Sequence, residues 1–329
     1  MLKHLTEEER FYKKPFLLSY SGLNKLLFSP KLFYRHYVLN QKEESLDTHL
    51  VEGKLLHTLV LEPDNFDKIF IISPGKIPKD NAKIIVDAMY NKTLNPEHSS
   101  KSLENFEYEI LELMVNLNYY QNLKTDEQRI AKVLTEDNIN YFNFLTQLSS
   151  KILIEQKSYE KCMELRDELI SDEIICYALY CNNPAGVDIY SEKYLESTFL
   201  NYSFKLKGYL DRLVIDHNQK CIKIVDLKTT SKAIDRFKES IDYYRYDLQA
   251  AIYYTLCEAE FTEKYPDYSL QYSFIVVDPF VQKCVFEISI DTMKDWLSAL
   301  KEKVEVFNWH YVNKNFELPF DLASGCIIL

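Results

Sequence analysis

The chain has 329 residues, 47% of them hydrophobic, and a formal charge of −11. That length admits one large domain or two small ones with a sizeable core. No run approaches the roughly eighteen apolar residues of a membrane span, the start MLKHLTEEER lacks the apolar stretch of a secretory signal, and the seven cysteines include no C-x-x-C pair, which argues against zinc and disulfide frameworks and for a reducing cytoplasm.

In chain order, residues 1–17 read as a polar leader with aromatic anchors. Ser19 or Ser21 caps a helix running through Leu23, Leu26 and Leu27, and Ser29-Pro30 starts the next. Lys25, Lys31, Arg35 and His36 decorate this pair, as a phosphate-facing surface or as a solvated face. From Leu50 to Leu61 the apolar residues recur at helical spacing with His57 among them; a lone histidine on such a helix is usually packed in a core. Ile69 to Ile72 suits a short strand. Residues 82–178 are helical in pattern, with few breakers and no chemistry assigned.

Tyr194 to Phe204 alternates and is expected to open a sheet. Two further alternating runs follow, Lys207 to Ile215 and Cys221 to Leu227, around the polar turn Asp216-His217-Asn218-Gln219; they predict a hairpin. Each run carries an acid in an apolar setting, Asp211 and Asp226, and Lys228 follows Asp226 at a spacing of two, so both point to one side of a strand. An isolated D-x-K is usually a strand-edge salt bridge. Here the acids sit amid Val, Ile and Leu, where unpaired charge is costly. Gly208, one of only six glycines, stands just before the first acid, and Thr229-Thr230 ends the strand with hydroxyls suited to phosphate. Two carboxylates and an ammonium aimed at one spot suit a divalent cation with a water beside it. Charge distribution agrees: residues 205–245 hold 10 bases against 6 acids, a net +4, whereas residues 97–173 hold 16 acids against 8 bases, a net −8.

Ile234 to Ser240 is a short helix or loop. Tyr243 to Ala259 reads as a helix on which Gln249 and Tyr253, four apart, share a face. Leu270–Val277 and Lys283–Ile288 form a second strand pair around Asp278-Pro279, and Asp291 caps a last amphipathic helix. The closing Cys326-Ile327-Ile328-Leu329 fits a prenylation box without the upstream basic residues that usually accompany one, and is read as chance.

Gly208-x-x-Asp211, Asp226-Leu227-Lys228-Thr229-Thr230 and Gln249-x-x-x-Tyr253 together resemble the PD-(D/E)xK nuclease superfamily, in the branch around exodeoxyribonuclease VIII and the RecB nuclease domain. Leu18-Ser19-Tyr20-Ser21-Gly22-Leu23 with Ser29-Pro30 resembles that branch's N-terminal signature. Gly53-Lys54-Leu55-Leu56-His57, running into Leu61-Glu62-Pro63, resembles its histidine-bearing helix. Leu210 stands where a proline often precedes the first acid.

The resemblance implies an α/β (α+β) fold, a restriction-endonuclease-like mixed central sheet flanked by helices, with a large helical N-terminal and middle region. The expected organisation is one nuclease domain over 1–329: an N-terminal helical part with the histidine motif (18–76), a helical insertion (77–190), a catalytic sheet core (191–290) and a C-terminal helix and tail (291–329). It also implies a metal-dependent DNA nuclease. Asp211, Asp226, His57 and the backbone carbonyl of Leu227 would hold one or two Mg²⁺ or Mn²⁺ ions. Lys228 would serve catalysis with the two aspartates, and Gln249, Tyr253, Thr229, Thr230 and Ser21 would meet the substrate. Glu196, fifteen residues before Asp211, is the expected third carboxylate, with Glu192 the nearby alternative. Neither an iron–sulfur cluster nor a nucleotide cofactor is expected, since the branch's C-terminal cysteine group and a G-x-x-x-x-G-K-[ST] loop are both missing. The implied substrate is linear double-stranded DNA, digested from its ends in recombination, repair or phage DNA processing, with a homo-oligomeric ring and a recombination partner protein compatible with the resemblance. The alternative from another class is a catalytically silent nucleic-acid-binding or scaffold protein of the same fold.

Overall fold

The computed structural model describes residues 6–41, 48–148, 150–181, 185–323 and 325; the Cys326 box lies outside them. The chain divides into two compact units, Met1–Asp47 with Leu165–Leu329, and Thr48–Glu164.

The first unit is built on a six-stranded mixed sheet. Its strands are β1 (Leu17–Leu18), β2 (Val187–Thr198), β3 (Lys205–Asp216), β4 (Cys221–Thr229), β5 (Ser269–Val277) and β6 (Lys283–Glu287). The expected mixed sheet with flanking helices is thus present. The expected strand Tyr194–Phe204 begins earlier, at Val187.

β3 and β4 form the predicted hairpin, antiparallel from Arg212↔Val225 to Asp216↔Cys221. Its turn is fixed by Asp216, whose Oδ1 accepts from the N–H groups of Asn218 and Gln219, both at 3.0 Å. β4 then runs parallel to β5, which puts it inside the sheet with both faces covered. That is why Cys221–Leu227 is almost wholly apolar and why its one acid is buried. β2 pairs antiparallel with β3 along its length. The other edge of β3 is shared, with β4 beside Arg212–Asp216 and β1 running parallel beside Lys205–Leu206.

The helices of this unit are α1 (Glu7–Tyr12), α2 (Tyr20–Phe28), α3 (Pro30–Phe33), α4 (Glu173–Tyr180), α5 (Phe237–Tyr244), α6 (Tyr246–Phe261) and α7 (Ile290–Asn313). The leader is therefore partly helical: Thr6 and Glu9 close a capping box at the start of α1. Ser19 caps α2, and Ser29 with Pro30 starts α3. Ser289, not Asp291, caps α7; its Oγ accepts from Thr292 N–H at 3.1 Å. The helix expected from Tyr243 is broken at Arg245, whose left-handed φ of +57° ends α5 and begins α6.

The core joins the sheet to α2, α3, α6 and α7. Phe33, Phe204 and Phe307 meet edge-to-face, with ring centroids 5.6 and 4.8 Å apart. Such pairs contribute about 0.5–1.5 kcal/mol each beyond their buried area.

The second unit is largely helical. Ile85, Val86, Met89, Phe106, Ile110 and Phe142 form its main core, drawn from the helices Asp80–Thr93, Glu107–Asn116 and Glu136–Leu148 and the turn Leu103–Phe106. Phe70–Ile72 is a strand as expected, and pairs in parallel with Ile152–Ile154. The helix Thr48–Leu61 packs Leu55 and Leu59 against Phe70 and Ile154 and carries His57. Helices continue beyond this unit through Gln156–Ser171 to α4. No helix among the described residues is long and apolar enough to cross a membrane.

Candidate active site

The β3–β4 ladder stops at Arg212↔Val225, and Asp211 takes over where it ends. Its Oδ2 accepts from the backbone N–H of Leu227 at 2.9 Å. Asp226 is completely buried, and Lys228 Nζ lies 2.5 Å from its Oδ2. That contact pairs Oδ2 with the ammonium, while Oδ1 has no hydrogen-bond partner among the described residues. A buried carboxylate so poorly solvated is expensive. Burial pushes the Asp226 carboxyl well above the ordinary carboxylate range, with the Lys228 ammonium opposing that rise and Asp211 adding to it. Burial alone would lower the Lys228 ammonium, but the two aspartates outweigh it and keep the group protonated. The same ammonium sits 4.8 Å from the centroid of the Tyr246 ring, a cation–π contact.

α6 closes over this spot with residues spaced along one helical face. Gln249 donates from Nε2 to the Tyr253 phenol at 3.1 Å, and both side chains are buried. Gln249 Oε1 has no hydrogen-bond partner among the described residues. Gly208 explains how α6 comes so close. A Cβ there would lie 2.7 Å from Tyr253 Cε1, so only glycine leaves room for the ring.

The two-residue alternation of β3 slips beside Asp211. Leu206 and Leu210 enter the same core as Leu213 and Ile215, so the inward-facing set moves by one residue between Leu210 and Leu213. The β2–β3 ladder runs through Ser191↔Arg212 and Lys193↔Leu210 and skips the pair between them, Glu192 and Asp211. Glu192 adopts a left-handed φ of +48°. A non-glycine residue there costs on the order of 1–2 kcal/mol, and such strain gathers at functional sites. The twist brings the carboxylate oxygens of Glu192 and Asp211 within 4.8 Å of each other.

Glu192, not Glu196, is thus the acid beside Asp211. Glu196 stands opposite Lys207, exposed, accepting from the Tyr194 phenol at 2.6 Å and paired with Lys205 at 3.0 Å. The antiparallel register of β2 with β3 places Glu196 opposite Lys207 and Glu192 across from Asp211, a pairing that residue spacing in the sequence does not announce.

The other anticipated residues fall as follows. Leu227 is buried, with its N–H given to Asp211. Thr229 is exposed, while the Thr230 hydroxyl accepts from Lys232 N–H at 3.1 Å. Ser21 is exposed, its hydroxyl 3.0 Å from that of Ser19. His57 is half-buried on its helix in the second unit.

The donors of the first unit suit a hard divalent cation. Asp211 and Glu192 bring carboxylate oxygens within 4.8 Å of each other, and Asp226, which acts electrostatically on Asp211, adds a buried carboxylate whose Oδ1 has no hydrogen-bond partner among the described residues.

The model of the PD-(D/E)XK nuclease superfamily matches residues 17–318. The chain belongs to this superfamily. The matched span contains Asp211 and Asp226-Leu227-Lys228, whose sequence resembles the pattern in that name, with the fully buried core residue Leu210 in place of the proline. PD-(D/E)XK nucleases generally use divalent metal ions. No curated protein matches the chain. Among solved structures it is similar to a candidate exonuclease from Eubacterium rectale, at 12% identity over 99% of this chain and 94% of that one, with a TM-score of 0.48.

Proposed function

We propose that this protein is a metal-dependent nuclease that hydrolyses phosphodiester bonds in DNA, acting as an exonuclease on linear double-stranded substrates. The observation that carries this reading is the buried Asp226 carboxylate, its Oδ2 paired with Lys228 at 2.5 Å and its Oδ1 without a hydrogen-bond partner among the described residues, with Asp211 on the neighbouring strand. A structural salt bridge has no need of a second acid, nor of a strained third one in Glu192.

Asp211, Asp226, Glu192 and the carbonyl of Leu227 would hold one or two Mg²⁺ or Mn²⁺ ions. His57 joins this set on the sequence resemblance. Such ions supply a more acidic water and neutralise phosphate charge. Lys228 would orient the attacking water and offset the charge gathering on the phosphoryl oxygens in the transition state. Tyr246 would hold that ammonium in place from its ring face. Gln249 and Tyr253 would steady the phosphate or the water from α6, with Thr229, Thr230 and Ser21 available to the backbone of the strand.

The test is a digestion panel of linear, circular and single-stranded DNA and of RNA, with Mg²⁺, Mn²⁺ or EDTA. The reading expects metal-dependent loss of linear duplex from its ends and survival of circles. Cleavage of no substrate under any metal would mean that a silent binding protein keeps the fold. His57→Ala is expected to weaken the metal response while the protein stays folded; unfolding of that variant would return His57 to a packing role.

A further inference from the structure

A cleft of about 370 Å³ opens in the first unit beside Gly208. It lies where the edge of β3 is bare. β1 pairs with that edge at Lys205–Leu206 and β4 from Arg212 onward, so Lys207–Leu210 have no strand partner on that side among the described pairings. Backbone polar groups left this way call for another partner.

The walls combine π faces, hydroxyls and a cation. Tyr20, Tyr37, Tyr209 and Tyr253 line the cleft, with Lys207 and Ser21 beside them. Its platforms are held rigidly. Tyr20 donates its phenol hydrogen to the carbonyl of Tyr244, which Asn24 Nδ2 also reaches at 3.3 Å. Arg245, at the α5–α6 break, donates to Asn24 Oδ1 at 2.6 Å and locks the same corner. Tyr37 stacks on Phe33 at 4.9 Å and its phenol reaches Ser21 Oγ at 3.4 Å. Tyr209, by contrast, is 55% exposed, its ring 5.0 Å from that of Tyr194 on the neighbouring strand.

We propose that this cleft seats the terminal nucleotide of the strand being cut, its base stacked on the tyrosines and its phosphate near Lys207. The proposal rests on the nuclease reading and deepens it. Gly208 lies three residues before Asp211 on one strand, about 10 Å at strand spacing, within reach of a nucleotide or two from the scissile phosphate. Every base has a π face, so stacking here is tolerant of sequence, and each base stacked on an aromatic ring adds roughly 5- to 150-fold in affinity. A cleft of this size, with Tyr20 and Tyr37 held rigidly, has room for one unstacked nucleotide and none for continuous duplex. The preference for ends would then come from the cleft and not from the metal site.

The experiment uses the full chain and DNA carrying 5-iodouracil at the 5′ terminus, at the 3′ terminus or at an internal position. Samples are irradiated in calcium, without magnesium or manganese, and the crosslinked peptide is mapped. One terminal probe should crosslink to Tyr20, Tyr37 or Tyr209, and the internal probe should not. In parallel, Tyr209→Ala should raise KM on linear DNA roughly 5- to 150-fold with kcat changed far less, and Tyr209→Phe, which keeps the ring, should restore KM. Crosslinks outside the cleft, an internal probe as reactive as the terminal ones, or unchanged KM in Tyr209→Ala would overturn the cleft while metal-dependent cleavage by the wild type upheld the nuclease. Terminal crosslinking to the cleft without cleavage in any metal would do the reverse.

Discussion

Gly208→Ala tests how closely α6 is pressed against the sheet. The added Cβ would meet Tyr253 Cε1 at 2.7 Å, Tyr253 Cδ1 at 2.9 Å and Leu256 Cδ1 at 3.1 Å. Leu256 is almost fully buried and Tyr253 nearly so, and neither ring nor branch can swing aside as a flexible tip would. Forcing a methyl into a packed core costs about 1–3 kcal/mol. Replacing a strand glycine returns about 0.5–1 kcal/mol by restricting the unfolded chain. The balance is a loss of up to about 2.5 kcal/mol, centred on about 1 kcal/mol, read as a fall of a few degrees in Tm or a lower urea midpoint at unchanged m. Displacing Tyr253 also stretches its 3.1 Å hydrogen bond from Gln249, so activity should fall more than stability. Against a Tyr253→Ala background the same substitution has room, and its cost should vanish or change sign. Gly208→Ala that stabilises the parent, or that costs the same in both backgrounds, would refute the close-packing argument.

Two other substitutions probe features that the sequence does not advertise. Glu192→Gly relieves about 1–2 kcal/mol of strain at φ +48° against about 0.5–1 kcal/mol of added unfolded-chain freedom, a net gain of up to about 1.5 kcal/mol, while divalent-ion binding by calorimetry weakens; Glu192→Gln should weaken binding without the gain in stability. His310 is wholly buried, donates from Nδ1 to the carbonyl of Asn315 and leaves Nε2 unpartnered among the described residues. Burial lowers its pKa, with the Asn315 contact opposing. The unfolded chain therefore takes up this proton first as pH falls below about 6.5. Stability drops by at most about 1.4 kcal/mol per pH unit until the folded value is reached. Urea midpoints between pH 7.5 and 5 should fall less steeply in His310→Phe than in the parent; parallel slopes would show that His310 does not titrate between the two states.

Much of the site is legible because its chemistry shares the period of a strand. Asp226 and Lys228 are two apart on a buried strand and do meet at 2.5 Å. Gln249 and Tyr253 are four apart on a helix and hydrogen-bond. The rest depends on departures from regularity. The β2–β3 register, with the slip of alternation beside Asp211 and the left-handed Glu192, sets which acid approaches, and none of these leaves a mark in residue spacing. Arg245 likewise ends one helix and starts another with a backbone angle that a non-glycine side chain does not announce. The α1 cap was readable, since Thr6-x-x-Glu9 is a capping box, but short polar segments resemble leaders until their hydrogen bonds are seen. The short parallel pair of Phe70–Ile72 with Ile152–Ile154 joins segments far apart in sequence, which no local pattern links.

The most direct test of the account is Lys228→Ala, assayed for both cleavage and binding on linear duplex DNA at fixed salt and saturating Mg²⁺. The carboxylates remain, so affinity should stay near that of the parent. Cleavage should fall about 10²–10³-fold, the cost of one lost transition-state contact, and Lys228→Arg should recover little of it, because a planar guanidinium does not replace a compact ammonium. Equal cleavage by Lys228→Ala and the parent would contradict the account and reduce the Asp226–Lys228 pair to a buried salt bridge.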